Sequence, residues 1–306
     1  MQEIQENVPL APLTTFDIGG NARYFVDVRT ESDIKEAIAW AQAKGVGYVV
    51  LSGGSNVLAP GKDIDALVIH IVGDLYSVES GLVDAWTGTN LLTLIRSMAA
   101  QGWGGWEKLA GIPGTIGGAV RGNAGAFGPE IKDFVTKVKA CNTKTGESRE
   151  FENADCDFSY RHSFFKDNPE WIITRVELKL QQVDPAESKR LADETIAERE
   201  KRHLQNVKAA GSYFMNPRAS AHIVELFEKE KGVKSREGRV PAGWLIEKAG
   251  MKGATVGGAK ASEQHPNYIV NTGAATDADV KELAERVKRA VKDQFGVDLQ
   301  EEAAVW

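Results

Sequence analysis

Apolar residues recur at helical spacing through residues 31–43, where Ile34, Ala37, Ile38 and Ala41 share one face. The pattern then changes to largely apolar segments at 47–51, where Tyr48, Val49 and Val50 predict a buried strand, and at 66–71, which also fits a strand. A helix followed by such strands predicts a small α/β unit, with any ligand at the strand ends. Signals are mixed across 75–180: residues 91–101 are helical in pattern, whereas 135–142 and 171–180 predict strands, the latter alternating cleanly in ITRVELKL. Residues 185–203 are a strongly charged helical segment, expected to be a solvated linking helix. Helical patterns return at 219–231 and 276–295; in the second, Val280, Leu283, Ala284, Val287 and Val291 lie on one stripe. No internal repeat and no low-complexity tail is evident.

Two glycine clusters interrupt this patterning. Residues 111–128 read GIPGTIGGAVRGNAGAFG. Glycine loses more backbone entropy on ordering than any other residue, so the run is not expected to form a stable helix or a plain strand. It can form turns with positive φ and present backbone N–H groups to a bulky anion, for which a nucleotide pyrophosphate is the natural occupant. The second cluster, LSGGSNVL at 51–58, ends the 47–51 strand in a tight loop. Here Gly53 and Gly54 free the backbone, and Ser55 and Asn56 add short donors. Neither cluster matches GxGxxG at a helix start or GxxxxGK[ST], which disfavours a generic Rossmann domain.

Composition narrows the classes. A length of 306 residues allows two domains or three small ones. Hydrophobic residues at 42% and charged residues at 26% are ordinary for a globular chain. A net charge of −6 argues against a nucleic-acid partner. No apolar stretch approaches a membrane span of roughly 18 residues. The N-terminus has no basic region leading into an apolar core, so no signal peptide is expected. Cys141 and Cys156 could pair, but two cysteines imply no disulfide framework, and reduced thiols of a cytoplasmic chain are the simpler expectation. The His, Cys and acidic residues lack metal-ligand spacing, and no metal is expected.

Further segments line up in order: TTFDIGG at 14–20, SYRHSFFK at 159–166, GSYFMNP at 211–217, AGWLIEKAGMKG at 242–253, HPNYIVN at 265–271 and LQEE at 299–302. With the glycine loops, this set resembles the UDP-N-acetylenolpyruvoylglucosamine reductase family over nearly the whole chain. The resemblance implies an FAD-binding fold of the vanillyl-alcohol oxidase type followed by an α/β substrate-binding domain, divided here as 1–72, 73–200 and 201–306. It also implies a cytoplasmic, monomeric flavoenzyme. Such an enzyme would use NADPH and non-covalent FAD to reduce a UDP-sugar enolpyruvate to UDP-N-acetylmuramate in peptidoglycan precursor synthesis. The 51 positions between Arg161 and Ser212 resemble the short form lacking an inserted tyrosine-bearing loop. An FAD-dependent oxidase of the same fold acting on an alcohol or hydroxy acid, or an inert flavin binder, is the alternative.

Residue by residue, the resemblance places FAD on Gly53, Gly54, Ser55, Asn56, Gly111, Pro113, Gly114, Thr115, Gly117, Gly118, Asn123 and Gly125. Arg161 matches the arginine of Y-R-x-S-x-F-K, whose planar fork suits a carboxylate. Ser212 matches the proton-donating serine of G-S-x-F-x-N-P. Glu302 matches the second glutamate of L-E-P-E, a role that needs a raised pKa. Gln300 and Glu301 replace the family's glutamate and proline, so Glu301 is a rival for that role. Tyr160, Asn216, Lys252 and His265 align with substrate-contacting positions. Met215 stands where the family usually has lysine, and Arg121 and Gly122 where hydrophobic residues are common.

Overall fold

The segments 47–51 and 64–71 pair as parallel strands; the second buries Leu67, Val68, Ile69 and Ile71, whereas the first, expected to be buried, covers only Leu51 fully because it lies at the edge of its sheet. In the computed structural model, which describes residues 3–201 and 207–306, strands β1 (Gln5–Pro9), β2 (Asn21–Val28), β3 (Gly47–Leu51) and β5 (Ile64–Ile71) form one sheet in the order β1-β2-β5-β3. Both β2 and β3 run parallel to β5. Helix α1 (Glu31–Lys44) connects β2 to β3. It starts at a Thr30–Asp33 capping box and stops at Gly45, whose φ of 68° suits a left-handed C-cap. Its expected face of Ile34, Ala37, Ile38 and Ala41 is buried with Val26, Val28, Leu67 and Ile69.

Contacts divide the chain into two compact units. The first comprises the N-terminal residues through Val8, Ala22–Gly54 and Ile64–Lys201. Besides the parallel sheet it contains an antiparallel sheet in the order β10-β9-β11-β7-β6. These strands are β6 (Tyr76–Glu79), β7 (Leu82–Trp86), β9 (Val135–Asn142), β10 (Ser148–Glu152) and β11 (Trp171–Lys179). Helices α2 (Leu91–Ala100) and α3 (Ile116–Arg121) contribute Leu94, Ile95, Met98, Ile116 and Val120 to its core, around Trp106. Short strands β8 (Trp103–Gly104) and β12 (Gln181–Gln182) pair separately, and α4 (Phe164–Asp167) inserts Phe165. The Glu31 carboxylate on α1 accepts from Ser148, Lys35, Lys139 and Thr174, so the first turn of the helix is tied to β9, β10 and β11. Against a cost of burial, the Ser148 hydroxyl and the two ammonium groups hold its carboxyl down at about 2.

Two expectations are corrected here. The charged segment beginning at Pro185 forms α5 (Pro185–Lys201) but is not simply solvated. It buries Ser188 and Ala192, and Ser188 Oγ donates to buried Glu107 at 2.5 Å. The remainder of that segment, to His203, lies outside the described residues. The glycine run does contain a helix, α3. Thr115 caps it by accepting from Gly118 N, and the apolar positions Ile116 and Val120 anchor it in the core, offsetting the cost of two glycines.

The second unit comprises Pro9–Asn21, Ser55–Asp63 and the C-terminal part of the chain. Strands β13 (Thr255–Val256), β14 (Ala259–Ala261) and β15 (Ile269–Asn271) form an antiparallel sheet, and β16 (Ala304–Val305) runs parallel to β4 (Val57–Leu58). Helices α6 (Ala221–Lys231), α7 (Ala242–Lys248) and α8 (Asp277–Phe295) share a core with Phe16, Leu58 and Ile269. The stripe expected on α8 is buried in that core. The expected division at 72/73 falls between the two sheets of the first unit, and we retain it as a proposed subdomain boundary. The division at 200/201 lies at the edge of the described residues.

Candidate active site

The two glycine clusters meet. A Cβ on Gly53 would stand 2.8 Å from Gly114 Cα, so the backbones touch only because Gly53 has no side chain. Beside them the Ser52 and Thr115 hydroxyls are 2.8 Å apart. Gly54, Gly111 and Gly114 have φ of 59°, 80° and 117°, conformations that glycine adopts without strain. Among the described residues the amides of Gly53, Gly114 and Thr115 take no backbone acceptor, whereas those of Gly117 and Gly118 are already bonded to Thr87 O and Thr115 Oγ1. Gly117 must be glycine for another reason: a Cβ there would overlap Thr87 Oγ1. Gly125 likewise has no room beside Glu130 and Pro129. These positions shape the loop, while Gly53, Gly114 and Thr115 are the ones with donors to offer. Pro113 sits between the two positive-φ glycines, 111 and 114.

Arg161 belongs to the same unit and is built onto this loop. Ser159 and His162 exchange backbone hydrogen bonds, leaving Tyr160 and Arg161 as the two central residues of a tight turn. Arg161 has φ of 57°, a left-handed conformation uncommon outside glycine. Three bonds tie the turn to the glycine run: Arg161 Nη2 to Gly125 O at 2.9 Å, Asn123 Nδ2 to Ser159 O at 2.8 Å, and Ser163 Oγ to Arg121 O at 2.7 Å. Asn123 and Ser163 are fully buried. The Tyr160 ring lies 5.0 Å from the guanidinium carbon, and Lys166 Nζ donates to Arg161 O at 3.1 Å. In the Y-R-x-S-x-F-K motif the serine and lysine thus hold the turn that presents the arginine, while Phe165 is buried in the core of the unit.

Ser212 lies in the second unit at the start of a clamped segment. Tyr213 N donates to Asn267 O at 2.7 Å, and Phe214 exchanges two bonds with the Asn267 side chain, at 3.0 and 2.8 Å. On the other edge Glu302 N donates to Tyr213 O and Met215 N to Gln300 O, at 2.8 and 2.9 Å. Asn267, almost completely buried, was missed by the sequence reading although it lies within HPNYIVN. The Tyr213 phenol is buried without a hydrogen-bond partner among the described residues. Burial, then Glu301 and Glu285, raises its pKa and keeps it neutral.

The two C-terminal glutamates differ. Glu301 is ion-paired with Lys288 on α8 at 2.8 Å, which occupies its carboxylate. Glu302 is half-buried, and its carbonyl accepts from Asn56 Nδ2 at 3.1 Å. Ser55 and Asn56 thus stand in the second unit, just past the point where the first glycine loop leaves the first. Asn216 Oδ1 accepts from Ala242 N at 2.9 Å, at the first residue of α7. His265 packs edge-on against Tyr268, 4.8 Å between ring centroids. Lys252 is paired with Glu247 at 3.0 Å on the surface. Met215 is half-buried.

The FAD binding domain family matches residues 22–152, and the C-terminal domain family of UDP-N-acetylenolpyruvoylglucosamine reductase matches residues 201–306. The UDP-N-acetylenolpyruvoylglucosamine reductase of Synechococcus sp. (strain JA-3-3Ab) is 34% identical over 305 residues, covering 99% of this chain and 91% of its own. This chain belongs to the UDP-N-acetylenolpyruvoylglucosamine reductase family. The Pseudomonas aeruginosa reductase is 35% identical, with 98% of each chain covered. The crystal structure of the Thermus caldophilus reductase covers 100% of both chains with a TM-score of 0.79 at 30% identity. The fold is therefore an FAD-binding domain joined to the C-terminal α/β domain of this reductase family.

The glycine cradle fits the family's cofactor. A pyrophosphate needs close backbone approach and N–H donors, and the Gly53–Gly114 contact with the amides of Gly53, Gly114 and Thr115 supplies both. Among the described residues, no helix is long and apolar enough to cross a membrane.

Proposed function

We propose that this reductase converts the enolpyruvyl ether of UDP-N-acetylglucosamine to UDP-N-acetylmuramate, acting as a cytoplasmic monomer with NADPH and non-covalently held FAD. When bound, FAD supplies the hydride it has taken from NADPH. The glycine loops contain no His or Cys through which a flavin could be tethered. Hydride arriving at the terminal carbon of the enol ether drives negative charge into the conjugated carboxylate. Arg161 meets that charge, because a guanidinium can give a carboxylate two parallel hydrogen bonds. Ser212 Oγ then delivers a proton to the neighbouring carbon, and Glu302 hydrogen-bonds the carboxylate or assists that transfer. Tyr160, Asn216, Lys252 and His265 bind the rest of the sugar nucleotide. Donors fixed before charge develops need no reorganisation, and removing one costs about 2.7–4 kcal/mol of barrier.

The observation that carries this reading is the three-bond seam between residues 121–125 and 159–163. It attaches a preoriented guanidinium to the loop whose amides suit the cofactor. The test is anaerobic. Purified protein should be yellow, bleach with NADPH and regain colour on adding the enolpyruvyl sugar nucleotide. Bleaching without recovery would contradict the substrate, and oxygen consumption driven by simple alcohols would favour an oxidase.

A further inference from the structure

The His162 ring makes two contacts that a neutral imidazole cannot make together. Its Nδ1 lies 3.2 Å from the carbonyl oxygen of Asp157, and its Nε2 lies 2.9 Å from Asp167 Oδ2. A carbonyl oxygen and a carboxylate both only accept hydrogen bonds. With both bonds in place, each ring nitrogen carries a proton and the ring is an imidazolium. A neutral ring has one N–H and keeps one of the two bonds.

The position of this ring gives the chemistry a consequence. His162 closes the turn whose centre is Arg161, and one of its bonds reaches back to Asp157 while the other reaches forward to the end of α4. Both Asp157 and Arg161 are left-handed, with φ of 44° and 57°. Non-glycine residues stay in that region only when their surroundings hold them there. We propose that His162 is a positioning residue, whose imidazolium locks the Arg161 turn and whose deprotonation loosens it, weakening recognition of the substrate carboxylate. The inference rests on the reading of Arg161 as the carboxylate-binding group.

The charges around the ring favour its protonated form. The Asp167 carboxylate and the Asp157 carbonyl and carboxylate raise the pKa of His162 against a smaller cost of burial. Arg121 at the end of α3 also interacts with Asp167 and so competes with the ring for it. Lys166 is held on the Arg161 carbonyl, and the Arg161 guanidinium donates to Gly125. A folded-state pKa raised above the usual value, about 6.5, means that the lock is complete below that value. It is lost as pH rises through the raised pKa.

The experiment uses the FAD-bound protein. Imidazole NMR, with His162 assigned by its loss in His162→Gln, should show both ring nitrogens protonated on the acid side of the titration and a midpoint above about 6.5. Asp167→Asn, which keeps an acceptor but removes the charge, should move the midpoint down. KM for the enolpyruvyl substrate should rise about fivefold through the same titration, the worth of one hydrogen bond, while flavin reduction by NADPH is unchanged. His162→Gln should lose that step. A His162 midpoint at or below about 6.5, or a KM step that survives in His162→Gln, would overturn the proposal. If the protein binds flavin but no form reduces the enolpyruvyl substrate, the reading of Arg161 fails, and the NMR titration still decides whether the lock exists.

Discussion

Arg161 and Ser212 are positioned by opposite means. Arg161 sits in a strained turn, and its side chain is itself anchored, with Nη2 on the Gly125 carbonyl and the Tyr160 ring beside the guanidinium. Around Ser212 it is the backbone that is anchored: the residues that follow it are bonded on one edge to Asn267 and on the other to Gln300 and Glu302. The difference matches what each group is proposed to do. A cation that receives developing charge acts best if it does not move. A proton donor has to turn its O–H toward carbon, so fixing its main chain is enough.

The largest effect tests the platform under the Arg161 region. Gly114→Val should abolish flavin binding, because φ of 117° is closed to a β-branched residue and Gly53 leaves no slack. The ratio of flavin to protein absorbance after purification checks this, and full flavin content would break the account. Next comes the clamp beside Ser212. Asn267→Ala leaves a buried N–H and C=O of Phe214 without their side-chain partner and should cost about 3 kcal/mol of stability. Denaturant midpoints at constant m-value give that number, and a loss of under about 0.5 kcal/mol would mean that the clamp is ornamental. The smallest effect separates the two terminal glutamates. Glu301→Gln removes a partly exposed ion pair with Lys288 and should change stability by less than about 1 kcal/mol, with kcat kept. Glu302→Gln should lower kcat. If Glu301→Gln is the crippled variant, the C-terminal register is off by one residue.

Much of this comparison was legible in the chain and part was not. Patterns confined to one element predicted their elements: the face of α1, the stripe of α8 and the strand at 171–179 all formed, with ends shifted by a residue or two. Expectations that depended on long-range partners fared worse. A helix inside the glycine run was excluded on propensity, and tertiary burial of Ile116 and Val120 overrode it. The charged face of α5 concealed Ser188, whose partner Glu107 comes from a distant turn. Nothing local shows that Val57 will pair with Ala304, or that Pro9–Asn21 belongs with the C-terminal unit. At the site, the glycine loops were evident as loops, but which glycines offer an amide and which avoid a clash depends on Thr87 and Glu130. Asn267 has an ordinary identity, and its importance comes from the Phe214 main chain it faces.

The central claim is a division of labour, with Arg161 gathering charge and Ser212 giving a proton, and it is tested most directly by separating the two half-reactions of Ser212→Ala in stopped flow. The hydroxyl has no part in hydride transfer from NADPH, so flavin reduction should stay within about twofold of the parent. Reoxidation by the enolpyruvyl sugar nucleotide should slow by about 10²–10⁴-fold, the usual worth of a positioned acid. Arg161→Lys, measured alongside, should spare flavin reduction in the same way but raise the substrate concentration needed for reoxidation, because bidentate pairing is lost. A Ser212→Ala protein that reoxidises as fast as its parent would contradict the assignment of the proton donor and the comparison built on it.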